Sequence, residues 1–213
     1  MTDNLNTVKT SAAKTGGYHH GDLRSALMAA AEEVIRERGV DGFSLREAAR
    51  RAGVSAAAPQ HHFGDARGLL TAIATAGFMG LGDALADAGA SDATDAHAAL
   101  TSLGRAYVRF ALAEPTRFDV MWRMTRIDRD DEAYQAASGR AFALLQDAVL
   151  IAAGPRPDSG PGAALPDPRA IAAWSLAHGF ARLALDGAFG TGPGAAEAAA
   201  GVLLQPVLDM LSV

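Results

Sequence analysis

Residues 44 to 63 hold the densest set of side chains able to do chemistry: Ser-Leu-Arg-Glu-Ala-Ala-Arg-Arg-Ala-Gly-Val-Ser-Ala-Ala-Ala-Pro-Gln-His-His-Phe. Gln60 can make a two-point contact with adenine, and Arg46 can reach either guanine or a phosphate. His61 suits a base or a phosphate. Ala56, Ala57 and Ala58 bring small side chains, which let a backbone approach base edges closely and can touch a thymine methyl. The adjacent pairs His19-His20 and His61-His62 raise the question of a metal. Neighbouring residues on a helix do not converge on one ion, and neither pair has a carboxylate or thiolate at ligand spacing, so no metal is expected.

A second group is apolar and aromatic: Phe110, Phe118, Met121, Trp122, Met124, Trp174, His178 and Phe180. Trp174 and His178 stand four apart, hence on one helical face. Such a group suits the wall of a small-molecule pocket, with Phe110, Phe118, Met121, Trp122, Trp174 and His178 as its candidates. Plain core packing accounts for the same residues equally well.

Catalytic patterns are missing. The chain has no Gly-rich phosphate loop after a strand, no His-Glu-x-x-His and no Gly-x-Ser-x-Gly. It has no cysteine, which excludes disulfides, thiolate metal sites and cysteine nucleophiles. No enzyme, no catalytic residue and no cofactor are expected.

The elements that must position these groups all read as helices. Ala and Leu dominate, and no β-branched run alternates with polar residues. A first helix is predicted from Asp22, with Leu23, Leu27, Ala30, Ala31, Val34 and Ile35 on one face and Gly39 and Gly42 ending it. Ser44 and Glu47 form a capping-box pattern, so a short second helix starts there, with Leu45, Ala48, Ala49 and Ala52 on its packing face. Gly53 supplies a left-handed turn, Val54 plugs the core and Ser55 caps a third helix that ends near Phe63. Val54, Pro59 and Phe63 then face inward, leaving Ala56, Ala57, Gln60 and His61 outside. Two short helices about a Gly turn are the helix-turn-helix pattern, whose second helix is free to enter a major groove.

Further helices are predicted from Ala66 onward, over 95–113, 116–126, 131–153, 168–187 and 194–212. Between the third- and second-last lies Gly154–Pro168, which holds five of the nine prolines and cannot be helical. The last two helices are apolar on more than one face. Ile171 and Trp174 mark one side of the first of them, Phe180 and Leu183 another. Val202, Leu203, Val207, Met210 and Leu211 run along the second, where Pro206 should introduce a kink. Helices of this kind suit a four-helix interface between two copies.

Net charge is −5 over 213 residues, but its distribution is uneven. The first seventy residues carry one net positive charge and the remainder six net negative. Pro and Gly interrupt each apolar run short of a membrane span, and the polar first 17 residues offer no secretory signal. A cytoplasmic protein without membrane contact is the expectation.

From Tyr18 to Ile73 the chain resembles the DNA-binding domain of the TetR family of regulators. The resemblance rests on the Gly39-x-x-x-Phe43-Ser44-Leu45-Arg46 step, the Ala52-Gly53-Val54-Ser55 turn and the His62-Phe63 ending followed by Gly68-Leu69-Leu70. It implies DNA contacts from Ser44, Leu45 and Arg46 on the second helix. It also implies contacts from Ala56, Ala57, Ala58, Gln60, His61 and His62 on the reading helix. The chain departs from the family at Gln60, where Tyr is usual, and at Ala66, where Lys is usual and Arg67 follows. Trp174-Ser-Leu-Ala-His178-Gly179 resembles a Trp-x-x-x-His-Gly signature in the C-terminal domain of one subgroup.

The expectation is an all-α fold in which a three-helix helix-turn-helix domain precedes a helical ligand-binding and dimerisation domain. Residues 1–20 form a flexible arm, 21–81 the DNA-binding domain and 82–213 the remainder. The implied partners are double-stranded operator DNA, a small apolar or amphipathic effector and a second copy held through the two C-terminal helices. The implied function is a transcriptional repressor released by that effector.

Overall fold

The computed structural model describes residues 20–91, 96–154 and 166–210. The expected N-terminal arm, His19, most of the Pro/Gly-rich linker and Leu211 lie outside the described residues. Helices α1 (His20–Arg38), α2 (Leu45–Arg51), α3 (Ala58–Phe63), α4 (Ala66–Ser91) and α5 (Ala96–Ala113) come first. They are followed by α6 (Pro115–Met121), α7 (Glu132–Ala153), α8 (Pro168–Leu185) and α9 (Ala195–Leu208). Strands are absent among the described residues.

The N-terminal helices form where the apolar periodicity places them, with local differences at their ends. On α1, Leu27, Ala30, Ala31, Val34 and Ile35 are buried, and Gly39 stops the helix at φ 72° while its N–H donates to the Ile35 carbonyl (2.7 Å). The helix already includes His20, two residues before the predicted start, within the usual fraying of helix ends. Ser44 caps α2 by accepting the Glu47 N–H at 3.5 Å. The reciprocal half of the capping box does not form, because arginines hold the Glu47 carboxylate instead. Nor does Ser55 cap α3. That helix starts two residues later than predicted, after an uncapped Ala57, since Pro59 preorganises its first turn and needs no N–H partner. Val54 is half-buried rather than a core plug.

Helix α4 is the spine. It packs against α5, α6 and α7 in the body and against α1 and α3 at its start. One hydrophobic core runs along it, from Ile35, Val40 and Ala48 through Leu69, Leu70, Ile73 and Phe78 to Phe118, Phe180 and Leu208. The expected domain border at 81/82 therefore falls inside a continuous helix and a continuous core. Helix α6 crosses α4 closely at Gly77, where an added Cβ would come within 2.6 Å of Met121 Sδ.

Helix α4 starts at Ala66, where it is predicted, and continues to Ser91. The helix runs through Gly68, Gly77, Gly80, Gly82 and Gly89, and at Gly68 and Gly77 an added Cβ would strike the Phe63 carbonyl and Met121 Sδ, so close approach demands the glycine there. By length and composition alone α4 and α7 could each cross a membrane. Much of the apolar surface of α4 is instead spent on the protein's own core. Helix α9 carries Pro206 in its last turn and continues to Leu208.

Candidate nucleic-acid interface and internal cavity

The turn between α2 and α3 is built by its backbone. Gly53 N–H donates to the Arg50 carbonyl (3.2 Å) and Val54 N–H to the Ala49 carbonyl (3.0 Å), the Schellman pattern that closes a helix. The pattern requires a left-handed residue, and Gly53 supplies it at φ 69°. A Cβ there would meet nothing within 4 Å, so conformation rather than space demands the glycine. Buried Ala48 and Ala49 dock α2, and buried Pro59 docks α3. Phe63 packs on the core beneath the Arg24 guanidinium, 5.1 Å from its ring centre.

The outer face of this unit carries the predicted groups. Ala56, Ala57, Gln60 and His61 are exposed, while Ala58 and His62 are half-buried. The His61 and His62 rings meet edge to face at 5.4 Å. On α2, Ser44 spends its hydroxyl on the cap and Leu45 packs on the core, so neither offers a free polar group outward. Arg46 differs from its neighbours. Arg50 and Arg51 both bond Glu47 (2.8 and 3.1 Å), and Arg51 also grips Glu37. Hydrogen bonds from Arg50 and Arg51 pull the Glu47 carboxyl down to about 2. Arg46 is exposed and forms no ion pair among the described residues.

A half-open cavity of about 350 Å³ lies in the body, bounded by α4, α5, α7, α8 and the residues that follow α6. Trp122 and Trp174, the only tryptophans, both line it. The other four candidates stand differently. Phe118 and Met121 are fully buried in the core, and Phe110 lies over Gly80 on the α4–α5 contact. His178 reaches the cavity wall through Tyr107. Tyr107 OH accepts from Trp174 Nε1 (3.3 Å) and shares a hydrogen bond with His178 Nδ1 (2.9 Å). Burial pushes the Tyr107 hydroxyl up, and burial with the nearby Arg182 cation pushes the His178 imidazole down. Both shifts favour the neutral forms, and no charged side chain among the described residues lines the cavity.

Sequence reasoning missed Tyr107, Phe78, Tyr134 and Phe142, all of which face the cavity. The signal for one wall was present: Leu100, Leu103, Gly104 and Tyr107 follow the i, i+3, i+4, i+7 spacing of one helical face. Phe78, Leu81 and Leu85 on α4 and Tyr134, Ser138, Ala141, Phe142 and Leu145 on α7 keep the same one-face spacing, but the spacing does not separate a cavity wall from core.

Segment 115–128 connects the two sites. Trp122 stands within it. From the same segment Arg117 Nε bonds the Glu32 carboxylate on α1 (2.8 Å), and Arg126 bonds Asp41 (3.3 Å) in the α1–α2 turn. At the start of α4, Arg67 donates to the Ile127 carbonyl (3.0 Å) and Asp128 N–H to Thr71 Oγ1 (2.8 Å).

A helix-turn-helix with an exposed reading helix, mounted on a helical body with an internal cavity, defines a DNA-binding regulator. The comparisons agree with that class. Residues 27–73 match the model of "Bacterial regulatory proteins, tetR family", and residues 100–205 match "Tetracyclin repressor-like, C-terminal domain". A protein of unknown function from Rhodococcus sp. RHA1 is 36% identical, with a TM-score of 0.70 over 92% of this chain and 96% of that one. The TetR family transcriptional regulator PfmR from Thermus thermophilus is 21% identical, with a TM-score of 0.61 over 87% and 96% of the two chains. NalD, the secondary repressor of the MexAB-OprM multidrug efflux pump in Pseudomonas aeruginosa, shares the fold at 21% identity and a TM-score of 0.56, over 89% and 96%. No curated protein matches the chain. The chain belongs to the TetR family and is a DNA-binding transcription regulator. Regulators of this family bind operator DNA, act as dimers and respond to small molecules.

Proposed function

We propose that this chain is a repressor that occupies a palindromic operator as a homodimer and leaves it when a small, mainly apolar effector fills the cavity. Residues 21–81 form its DNA-binding unit and 82–213 its effector and dimer unit. It acts in the cytoplasm and not as an enzyme. The observation that carries the reading is the double attachment of segment 115–128. That segment supplies one cavity wall through Trp122 and is bonded through Arg117, Arg126 and Asp128 to the helices that hold the reading unit. A ligand that favours a different position of this segment lowers the share of the DNA-competent form by its differential affinity for the two states.

DNA reading is assigned to Arg46, Gln60 and His61, with Ala56, Ala57 and Ala58 in apolar contact and Ser44, Leu45 and His62 at the margin. Support comes from the exposure of Gln60 and His61 and the absence of an ion partner for Arg46 among the described residues. Dimerisation is assigned to α8 and α9, where Ile171, Leu183, Val202 and Leu203 are exposed large apolar residues, with exposed Met210 just after α9. The test is a gel shift with DNA from upstream of the chain's own gene against a large excess of unrelated DNA. A retarded complex that survives the competitor is expected. Loss of all binding in competitor, across the whole upstream region, overturns the repressor reading for that gene.

A further inference from the structure

Several arginines of the DNA-binding unit are engaged within the protein. Arg50 and Arg51 bond Glu47, and Arg38 lies 3.7 Å from the same carboxylate. Arg67 is turned toward the Ile127 carbonyl and Asp128. Arg24 on α1 differs: it is exposed and forms no ion pair among the described residues. One of its N–H groups meets Met28 Sδ (3.6 Å), a weak acceptor. Its guanidinium stands over the Phe63 ring, 5.1 Å from the centroid, and Phe63 is the last residue of the reading helix. The ring holds the cation in place while most of its forked N–H donors stay unspent.

The position of this cation follows from the size of the parts. Helix α3 has 6 residues and is about 9 Å long, whereas a major groove is about 12 Å wide. A group at the end of such a helix therefore stands close to a wall of the groove, and the wall is phosphate. Arg24 shares one surface cleft with His62, Phe63, Gly64 and the start of α4, which places it at that end. Ala66 in the same turn is uncharged, and the neighbouring Asp65 carboxylate caps α4 by accepting the Gly68 N–H (2.8 Å). Arg36 is also exposed and without an ion pair among the described residues, but it stands about 18 Å further along α1 and outside the cleft.

We propose that Arg24 binds a backbone phosphate of the operator, beside the groove that α3 enters. The proposal rests on α3 being the reading helix and adds a contact from α1. A guanidinium fork matches two phosphate oxygens, so the contact fixes the orientation of the reading helix on the duplex. It carries no sequence information of its own.

The test uses the full chain and the duplex from upstream of its gene, by fluorescence anisotropy at about 50 and about 200 mM salt. Arg24→Gln keeps a stem beside Phe63 and removes the charge. Each phosphate contact contributes about 0.9 to the salt slope and a dimer loses two, so the native-to-variant affinity ratio should be about tenfold larger at the lower salt. The loss should be equal on every single-base variant of the duplex. Arg24→Lys should restore the slope. Arg140→Gln, which removes a charge paired with Asp83 in the body, should keep the native slope. Neutral methylphosphonates placed one at a time should reveal a position in each half-site that weakens the native protein and leaves Arg24→Gln unaffected.

A native slope in Arg24→Gln overturns the contact and makes Arg24 a packing residue on Phe63. An equal loss of slope in Arg140→Gln overturns it too, since the effect is then the field of the whole protein. A methylphosphonate scan identical for native protein and Arg24→Gln assigns the phosphate to another residue. If the native protein binds no DNA at all, the reading of α3 falls and this contact falls with it. Should Arg24→Gln fail to fold, the scan of Arg24→Lys decides. Its point charge should lose about threefold of the native sensitivity at that phosphate, and full native sensitivity overturns the contact.

Discussion

The Arg117 guanidinium on α6 crosses to the Glu32 carboxylate on α1, with Nε 2.8 Å from Oε1. Glu32 is the more enclosed partner and Arg117 is about one-third exposed, so the pair is neither fully solvated nor fully buried. It joins the segment beside the cavity to the first helix of the DNA-binding unit. Few other side-chain bonds tie α6 itself to α1. Arg117→Ala should therefore leave the fold intact, at a cost below about 1 kcal/mol. Operator affinity without any ligand should drop by up to about fivefold, the size expected of a weak coupling between sites. Fluorescence anisotropy with labelled operator measures this. Unchanged affinity, together with unchanged hydrogen exchange in α1, would remove the pair from the coupling path.

Arg46→Ala and Gln60→Ala should separate reading from anchoring. Loss of a base contact should cost about 1–3 kcal/mol and relax preference at one base pair. Loss of a phosphate contact should weaken all sequences alike and reduce the salt slope by about 1. Binding of single-base operator variants at two salt concentrations assigns each residue. The two reading helices of a dimer should require half-sites about 34–36 Å apart, or a multiple of that. If both variants bind every sequence as the native protein does, the DNA is read by some other surface.

Leu203 is 41% exposed on α9 in the single chain, so Leu203→Glu should not harm folding of the protomer. A two-fold interface meets the new charge twice, once from each copy. Light scattering at low concentration should show the monomer mass. Operator affinity should fall by about a hundredfold, because the second half-site no longer binds as part of the same molecule. A native dimer mass for the variant would move the interface elsewhere.

His178 should make the body acid-sensitive. Its folded pKa lies below the ordinary 6.5, through burial first and the Arg182 cation second. The folded state thus favours the neutral ring, and the unfolded chain takes up the proton more readily. Stability is therefore unaffected by this group well above 6.5 and declines as pH falls below it. Melting temperatures taken between about pH 7.5 and 5 should fall more steeply for the native protein than for His178→Gln. Parallel curves for the two proteins would show that His178 does not contribute.

The periodicity of Leu27, Ala30, Ala31, Val34 and Ile35, the glycines at 39 and 53 and the spacing from Ser44 to Phe63 were enough to read the helix-turn-helix from the chain. These are local signals. A helix that must bury one stripe, and a turn that must adopt positive φ, impose residue types a few positions apart. Exposure of Gln60 and His61 follows from the same arithmetic once Pro59 and Phe63 face inward. The internal cavity was legible only in part. Trp122 and Trp174 stood out by type, but Phe78, Tyr134 and Phe142 come from helices whose cavity side has the same composition as their core side. Whether an apolar side chain lines a void or fills one depends on how far apart the surrounding helices sit. That distance is set by contacts such as Gly77 on Met121, which are far apart in the chain. The loss of the capping box was legible in part: Arg50 and Arg51 follow Glu47 by three and four residues on α2, and only the Arg51–Glu37 bond waited on the packing of α1 against α2. Residue type and spacing decided which side chains the third helix leaves exposed, whereas only the packing of distant helices decided where the cavity lies and left Trp122 Nε1 without a partner among the described residues.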